Sequence, residues 1–286
     1  MNSLKQSRGA SFTLVTLIYI LAAAVGIAVY RLLNFDWWLN ILLADVAATV
    51  LTFAFSVILT NASVYDPYWS VQPMVILIFL APGRELTAVR VLLLAAVVLW
   101  GIRLTANWAY TFGGLTHQDW RYTMLKEKTG RLYPFVNFTG IHLVPTLIVY
   151  ACTLPAAYAF LHEADLNAGC VLFICLSAGA AVMQGIADSQ MHRYRRNRTG
   201  EFVGDGLWKY SRHPNYLGEI LMWWGIALSV ISLFPHAPYL CAGAVANTVL
   251  FLTVSIPMAD RRQSRKPGFE EYKSRTRMLL PLRRFR

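Results

Sequence analysis

Eight stretches of this chain are apolar enough to lie in a lipid bilayer. They are Phe12–Tyr30, Trp37–Thr60, Val71–Leu80, Leu86–Tyr110, Ile141–Leu161, Ala168–Ala187, Tyr216–Phe234 and Pro238–Pro257. About 20 apolar residues cross the hydrocarbon layer as a helix, which satisfies its backbone polar groups within one segment. The third stretch is short and reads as a partial or re-entrant span. The expected fold is therefore an all-α, polytopic transmembrane helix bundle of seven to eight spans, with cytoplasmic loops. Of the 286 residues 56% are hydrophobic and 14% charged, too apolar a balance for a soluble domain. The first run is too long for the apolar region of a signal peptide and lacks a clear cleavage site.

The net charge of +11 is explained by where the cations fall. They gather at Lys5 and Arg8, at 121–131, at 193–212 and at 261–286, while the intervening loops keep little more than Arg31 and Arg84. Cytoplasmic loops carry such a Lys/Arg excess. The alternation favours eight spans, puts both termini in the cytoplasm and suits a bacterial inner membrane. The basic balance implies membrane lipid, with no nucleic acid as partner. Cys152, Cys170, Cys175 and Cys241 lack metal or redox spacing and read as small core residues. None of the six histidines stands in a metal-binding array, so no metal site is expected.

Polar residues cluster where apolar segments meet basic loops. Gln184, Asp188, His192, Arg195 and Arg196 recur at intervals of about three or four, which places them along one helical face. Carboxylates and amides suit ribose or carboxamide groups, and Arg forks suit phosphate. A lipid-headgroup cluster would look the same. The next loop carries Lys209 and then Arg212, His213, Pro214, Asn215, Tyr216, Leu217, Gly218 and Glu219. Pro214 suits the start of a helix. Asn215 and Glu219 then lie one turn apart. A glutamate inside a membrane helix needs a partner: Asn215, a loop Arg or a ligand amide. A third basic group runs from Asp260 through Arg261, Arg262 and Arg265 to Arg277. It reads as a cytosolic helix that lies on lipid or folds back over the loop.

The N-terminal half offers different chemistry. Tyr65, Asp66, Pro67, Tyr68, Trp69, Ser70, Val71, Gln72 and Pro73 hold one carboxylate among aromatics, with no Lys or Arg. This is an interfacial aromatic belt or a substrate pocket with a proton donor. Arg103 and Asn107 share a face of the fourth segment, and Asp66 or Asp45 is the expected partner of Arg103. His142 reads as a structural core contact.

With these residues on the page, the chain resembles the steroid 5-alpha-reductase-like family, chiefly its bacterial branch. The likeness is strongest over Ala187–Trp224, around GLWKYSRHPNYLGE, and extends to YKSRTRMLLP near the C-terminus. It implies one integral-membrane domain, 1–286. Helices in 1–140 would line a lipophilic cavity, and 141–286 would form an NADPH site. The implied activity is hydride transfer to a carbon–carbon double bond conjugated to a ketone, on a steroid- or isoprenoid-like substrate. The implied cofactor residues are Asp188, Arg195, Arg212, His213, Asn215, Tyr216, Glu219, Arg261 and Arg265, and Arg196 and Lys209 in the same basic stretches are expected to join them. A monomer is expected. The Gln-Glu pair and Tyr that polarise the ketone in the steroid enzymes are absent, and Trp100 stands where the Tyr belongs. Asp66, with Tyr65 or Tyr68, is the expected catalytic replacement.

Two other readings stand beside this one. Arg-His-Pro-x-Tyr also marks membrane methyltransferases of the isoprenylcysteine carboxyl type, which use S-adenosylmethionine. Those chains carry a Glu-Glu pair after the last span, where this one has Asp260, Arg261, Arg262 and Gln263. A non-catalytic lipid-binding protein on the same scaffold is the third reading.

Overall fold

The computed structural model describes residues 7–197 and 201–280. Lys5 and the last cations, Arg283, Arg284 and Arg286, lie outside them. The described residues form helices α1 (Arg8–Leu32), α2 (Trp37–Ile58), α3 (Tyr68–Leu80), α4 (Ala88–Thr111), α5 (Trp120–Thr129), α6 (Tyr133–Val136), α7 (Val144–Leu161), α8 (Ala168–Asn197), α9 (Pro214–Leu233), α10 (Ala242–Leu250), α11 (Ile256–Gln263) and α12 (Phe269–Arg275). Short 3-10 or π turns join several of them. Among the described residues the only extended pairing is an isolated bridge between Ser211 and Arg277. Side-chain caps start four of these helices: Ser7 on Ala10, Thr87 on Arg90, Asp119 on Arg121 and Asn167 on Cys170.

Seven helical segments are long and apolar enough to span a membrane: Arg8–Leu32, Trp37–Ile58, Ala88–Thr111, Trp120–Leu161, Ala168–Asn197, Pro214–Leu233 and Pro238–Gln263. This is an all-α polytopic bundle. The third apolar stretch became the 13-residue α3. At ~1.5 Å per residue it rises only ~20 Å, short of the ~30 Å hydrocarbon layer. It nevertheless carries the chain from one end of the bundle to the other. Arg8, opening α1, donates to Ala109 near the end of α4. Ser70, early in α3, shares a hydrogen bond with Thr105 near that same end. Phe79, late in α3, packs on Tyr30 at the opposite end of α1. Arg262 of α11 stacks on Trp120 just after α4. The described parts of both terminal regions therefore meet at one end of the bundle.

The most extensive helix–helix seam joins α8 to α9, and glycines let the two helices approach closely. A β-carbon on Gly225 would lie 2.7 Å from the Phe173 carbonyl, and one on Gly218 would lie 2.9 Å from the Ala180 carbonyl. Membrane helices associate by such close backbone approach, because lipid offers no hydrophobic drive. Cys152 and Cys170 are core residues as expected, but Cys175 is exposed, on the outward face of α8.

Candidate cofactor site

Six parts of the chain converge at the end of the bundle that holds the described terminal regions. They are the ends of α4 and α8, the starts of α5 and α9, the loop before α9, and the return segment α11–α12. They enclose a cavity with about 1040 Å³ of empty space, part of it open to solvent. Six of the eleven expected cofactor residues line it: Asp188, Arg195, Arg212, His213, Asn215 and Tyr216. Asp188, His192 and Arg195 reach it from one face of α8, as their spacing predicts.

Its inner wall is a buried polar network. Arg103 donates to Asp188 at 2.7 Å and to the Gln184 carbonyl oxygen at 2.7 Å. Its partners are therefore on α8, and neither Asp66 nor Asp45 is the one expected from sequence. Sequence spacing could not show that α4 packs beside α8. Gln184 in turn donates to Glu219 at 2.6 Å. Glu219 lies behind the cavity and takes two further hydrogen bonds, from the Trp100 indole at 2.8 Å and the Trp223 indole at 2.9 Å. Among the protein partners expected for Glu219, neither Asn215 nor a loop Arg bonds to it. Trp100, which stands where the resemblance expects a Tyr, is one of its three donors.

The outer wall is closed by the C-terminal return. Arg212 donates to Asp260 at 3.0 Å and to the Thr276 carbonyl at 2.7 Å, and its backbone N–H donates to the Arg277 carbonyl. His213 Nε2 bonds the other Asp260 oxygen at 2.9 Å, and its ring stacks on Tyr216. Arg212 was expected to hold phosphate, yet both its terminal nitrogens are occupied within the fold. Tyr272 donates to the Trp208 carbonyl, and Trp208 donates to the Ala187 carbonyl at 3.1 Å. Burial pushes the Tyr272 hydroxyl above its usual range.

Arg196, Lys209, Arg261 and Arg265 are exposed and do not line the cavity. A helix turns about 100° per residue, so Arg196 faces away where Arg195 faces in. One position likewise separates Arg261 from Arg262, which does line it. Asn107, Trp120, Arg262 and Gln263 were outside the expected set. Their signal was weak, because they lie far from the sequence motif and only folding brings them to it. Among the described residues neither Arg195 nor Arg262 forms a salt bridge.

The three expected catalytic residues take different hydrogen-bond partners, although the Tyr65 and Tyr68 rings stack on each other. Tyr65 shares a 2.8 Å hydrogen bond with Thr146. Tyr68 donates to Asp45 at 2.9 Å. Asp66 accepts a 2.6 Å hydrogen bond from Tyr122, two residues along α5 from the cavity wall at Trp120. Burial pushes the Asp66 carboxyl up to about 6, against the lowering pull of Arg121 and the Tyr122 hydroxyl. Burial also works upward on neighbouring Asp119, but hydrogen bonds from Arg121 and nearby cations prevail and hold it below the usual carboxylate range. No group of three or more His, Cys, Asp or Glu able to hold a metal ion occurs among the described residues.

A family described as "Protein of unknown function (DUF1295)" matches residues 52–276. The chain belongs to this family. An uncharacterized protein of Schizosaccharomyces pombe is similar to it, 26% identical over 213 residues, which is 64% of this chain and 61% of the relative. The chain thus spans about six tenths of that relative's length. No solved structure matches. The family match runs from mid-α2 to the end of α12 and includes every residue of the inner network and the Asp260 contacts.

Proposed function

We propose that this chain is an NADPH-dependent membrane reductase acting on an activated double bond of a lipophilic substrate. The observation that carries this reading is convergence: six residues that the resemblance assigns to a dinucleotide line one cavity at the bundle's polar end. The donor set suits such a ligand. Arg195 and Arg262, which form no salt bridge among the described residues, offer guanidinium groups of the kind that bind phosphates. Trp120, Tyr216 and Phe269 offer ring faces, and Asp188 and Asn215 offer an inner polar wall for ribose or amide. When bound, the nicotinamide supplies hydride to the electron-poor carbon.

The residues of the chain do the rest. Glu219 fixes α4, α8 and α9 around the inner wall, so Asn215 and Asp188 are held in place before any ligand arrives. Asp260 clamps the C-terminal return over the outer wall and limits the entry of water. Hydride addition leaves negative charge on the conjugated oxygen, which then needs a proton. The Asp66–Tyr122 pair, beside the Trp120 wall, is the proposed proton source. Tyr65 and Tyr68 are engaged elsewhere and are assigned no part in that step.

The test is thermal unfolding of the detergent-solubilised protein with NADPH, NADH or S-adenosylmethionine, repeated with Arg195→Ala and Asn215→Ala. A ligand that binds only the folded state raises its stability. Stabilisation by NADPH that shrinks in both variants is expected. A response to S-adenosylmethionine alone would replace the reductase by a methyltransferase.

A further inference from the structure

A second cavity lies elsewhere in the bundle, between α1, α2 and α3. It holds about 630 Å³ of empty space and shares no lining residue with the polar cavity. Helix α4 stands between them: it presents Asn107 and Thr111 to the polar cavity, and packs Gly101 and Thr105 against α3. The walls of the second cavity are aliphatic or aromatic except at one spot, where Asp45, Tyr68 and Gln72 meet. All three are buried, Gln72 being only 5% exposed.

The hydrogen bonding at that spot is incomplete. Tyr68 donates to one Asp45 oxygen, and the Gln72 amide nitrogen donates to the other. The Gln72 Oε1 is buried and has no donor. A buried acceptor without a donor is unfavourable and calls for a partner. Most of the cavity's lining on α1 and α2 is apolar; of its two hydroxyls there, Tyr19 donates to the Val64 carbonyl and Tyr30 packs on Phe79 late in α3, a turn or more from Gln72. A ligand hydroxyl would supply the missing donor. Because a hydroxyl both donates and accepts, it suits Gln72 in either amide orientation. No Lys or Arg lines the cavity, so a phosphate or carboxylate headgroup would have no counter-charge.

We infer that this cavity is a lipid site that takes a neutral long-chain alcohol, its hydroxyl on Gln72 and its chain between α1 and α3. The site does not depend on the cofactor reading.

The experiment uses the full chain in nanodiscs of neutral lipid and four matched probes: hexadecanol, hexadecane, palmitate and hexadecylamine. Bound probe is counted by native mass spectrometry. Hexadecanol should bind about tenfold tighter than hexadecane, as one added buried hydrogen bond allows. Gln72→Leu should abolish that preference while leaving the hexadecane affinity unchanged. Ala23→Phe, which fills the cavity without touching the polar spot, should exclude all four probes. If Gln72→Leu does not fold, Ala23→Phe alone decides. Equal binding of alcohol and alkane, tighter binding of palmitate or amine, or hexadecanol binding undiminished by Ala23→Phe would each overturn the inference.

Discussion

Asp260 and Arg212, 48 residues apart, form a buried ion pair at 3.0 Å that pins the end of the chain to the start of α9. The same carboxylate takes His213, so one side chain organises both residues of the Arg-His pair. Removing it strands a buried guanidinium, whose Nε already lacks a partner. Breaking such a pair costs more than the pair contributes when intact. Asp260→Ala should lower stability by about 3 kcal/mol. It should also expose α12 to trypsin, seen as early cleavage after Lys273 or Arg275. Unchanged cleavage would show that Asp260 is not the clamp.

Glu219 accepts from three donors on three helices. An amide of the same shape can accept on only one of its two ends. Glu219→Gln should cost about 1–3 kcal/mol, because an indole or Gln184 loses its acceptor. Gln184 could turn its own amide to compensate, but Arg103 would then lose a bond. Thermal unfolding of Glu219→Gln beside Arg103→Met/Glu219→Gln measures this coupling, and strict additivity would exclude it.

The α8–α9 seam predicts a contrast between two glycines. Gly225→Ala places a β-carbon 2.7 Å from the Phe173 carbonyl and should cost about 1–3 kcal/mol. Gly179→Ala meets nothing within 4 Å and should be neutral or stabilise by up to ~1 kcal/mol through helix propensity. Melting temperatures of the two variants make the comparison. Equal shifts would mean that the seam is looser than its geometry.

Asp66 gives a pH prediction. Its carboxyl is raised to about 6 in the fold, against about 3.9 in an unfolded chain. Between these values the folded state binds more protons than the unfolded state. On account of Asp66, stability should therefore fall as pH rises from about 4 to about 6, and level off above. Asp66→Asn should remove that slope. Tyr122→Phe, which deletes a hydrogen bond that lowers the pKa, should extend the slope to higher pH. Stability curves that coincide for wild type and Asp66→Asn would refute the shift.

The sequence by itself determined the bundle. Long apolar runs with few charges leave the chain no other way to satisfy its backbone in lipid, so helix positions and fold class were legible. The α8 face and the Asn215–Glu219 turn were legible too, because helical periodicity is local and fixed by backbone geometry. What lay across the chain was not legible. Arg103 chose Asp188, Glu219 chose two tryptophans, and Arg262 with Trp120 joined the cavity in place of Arg261. Tyr68 went to Asp45, and Asp66 to Tyr122. Each of these choices depends on which helices are neighbours and how closely they pack. Only the tertiary structure decided that, because side chains that reach across helices answer to distances that no spacing along a single segment contains.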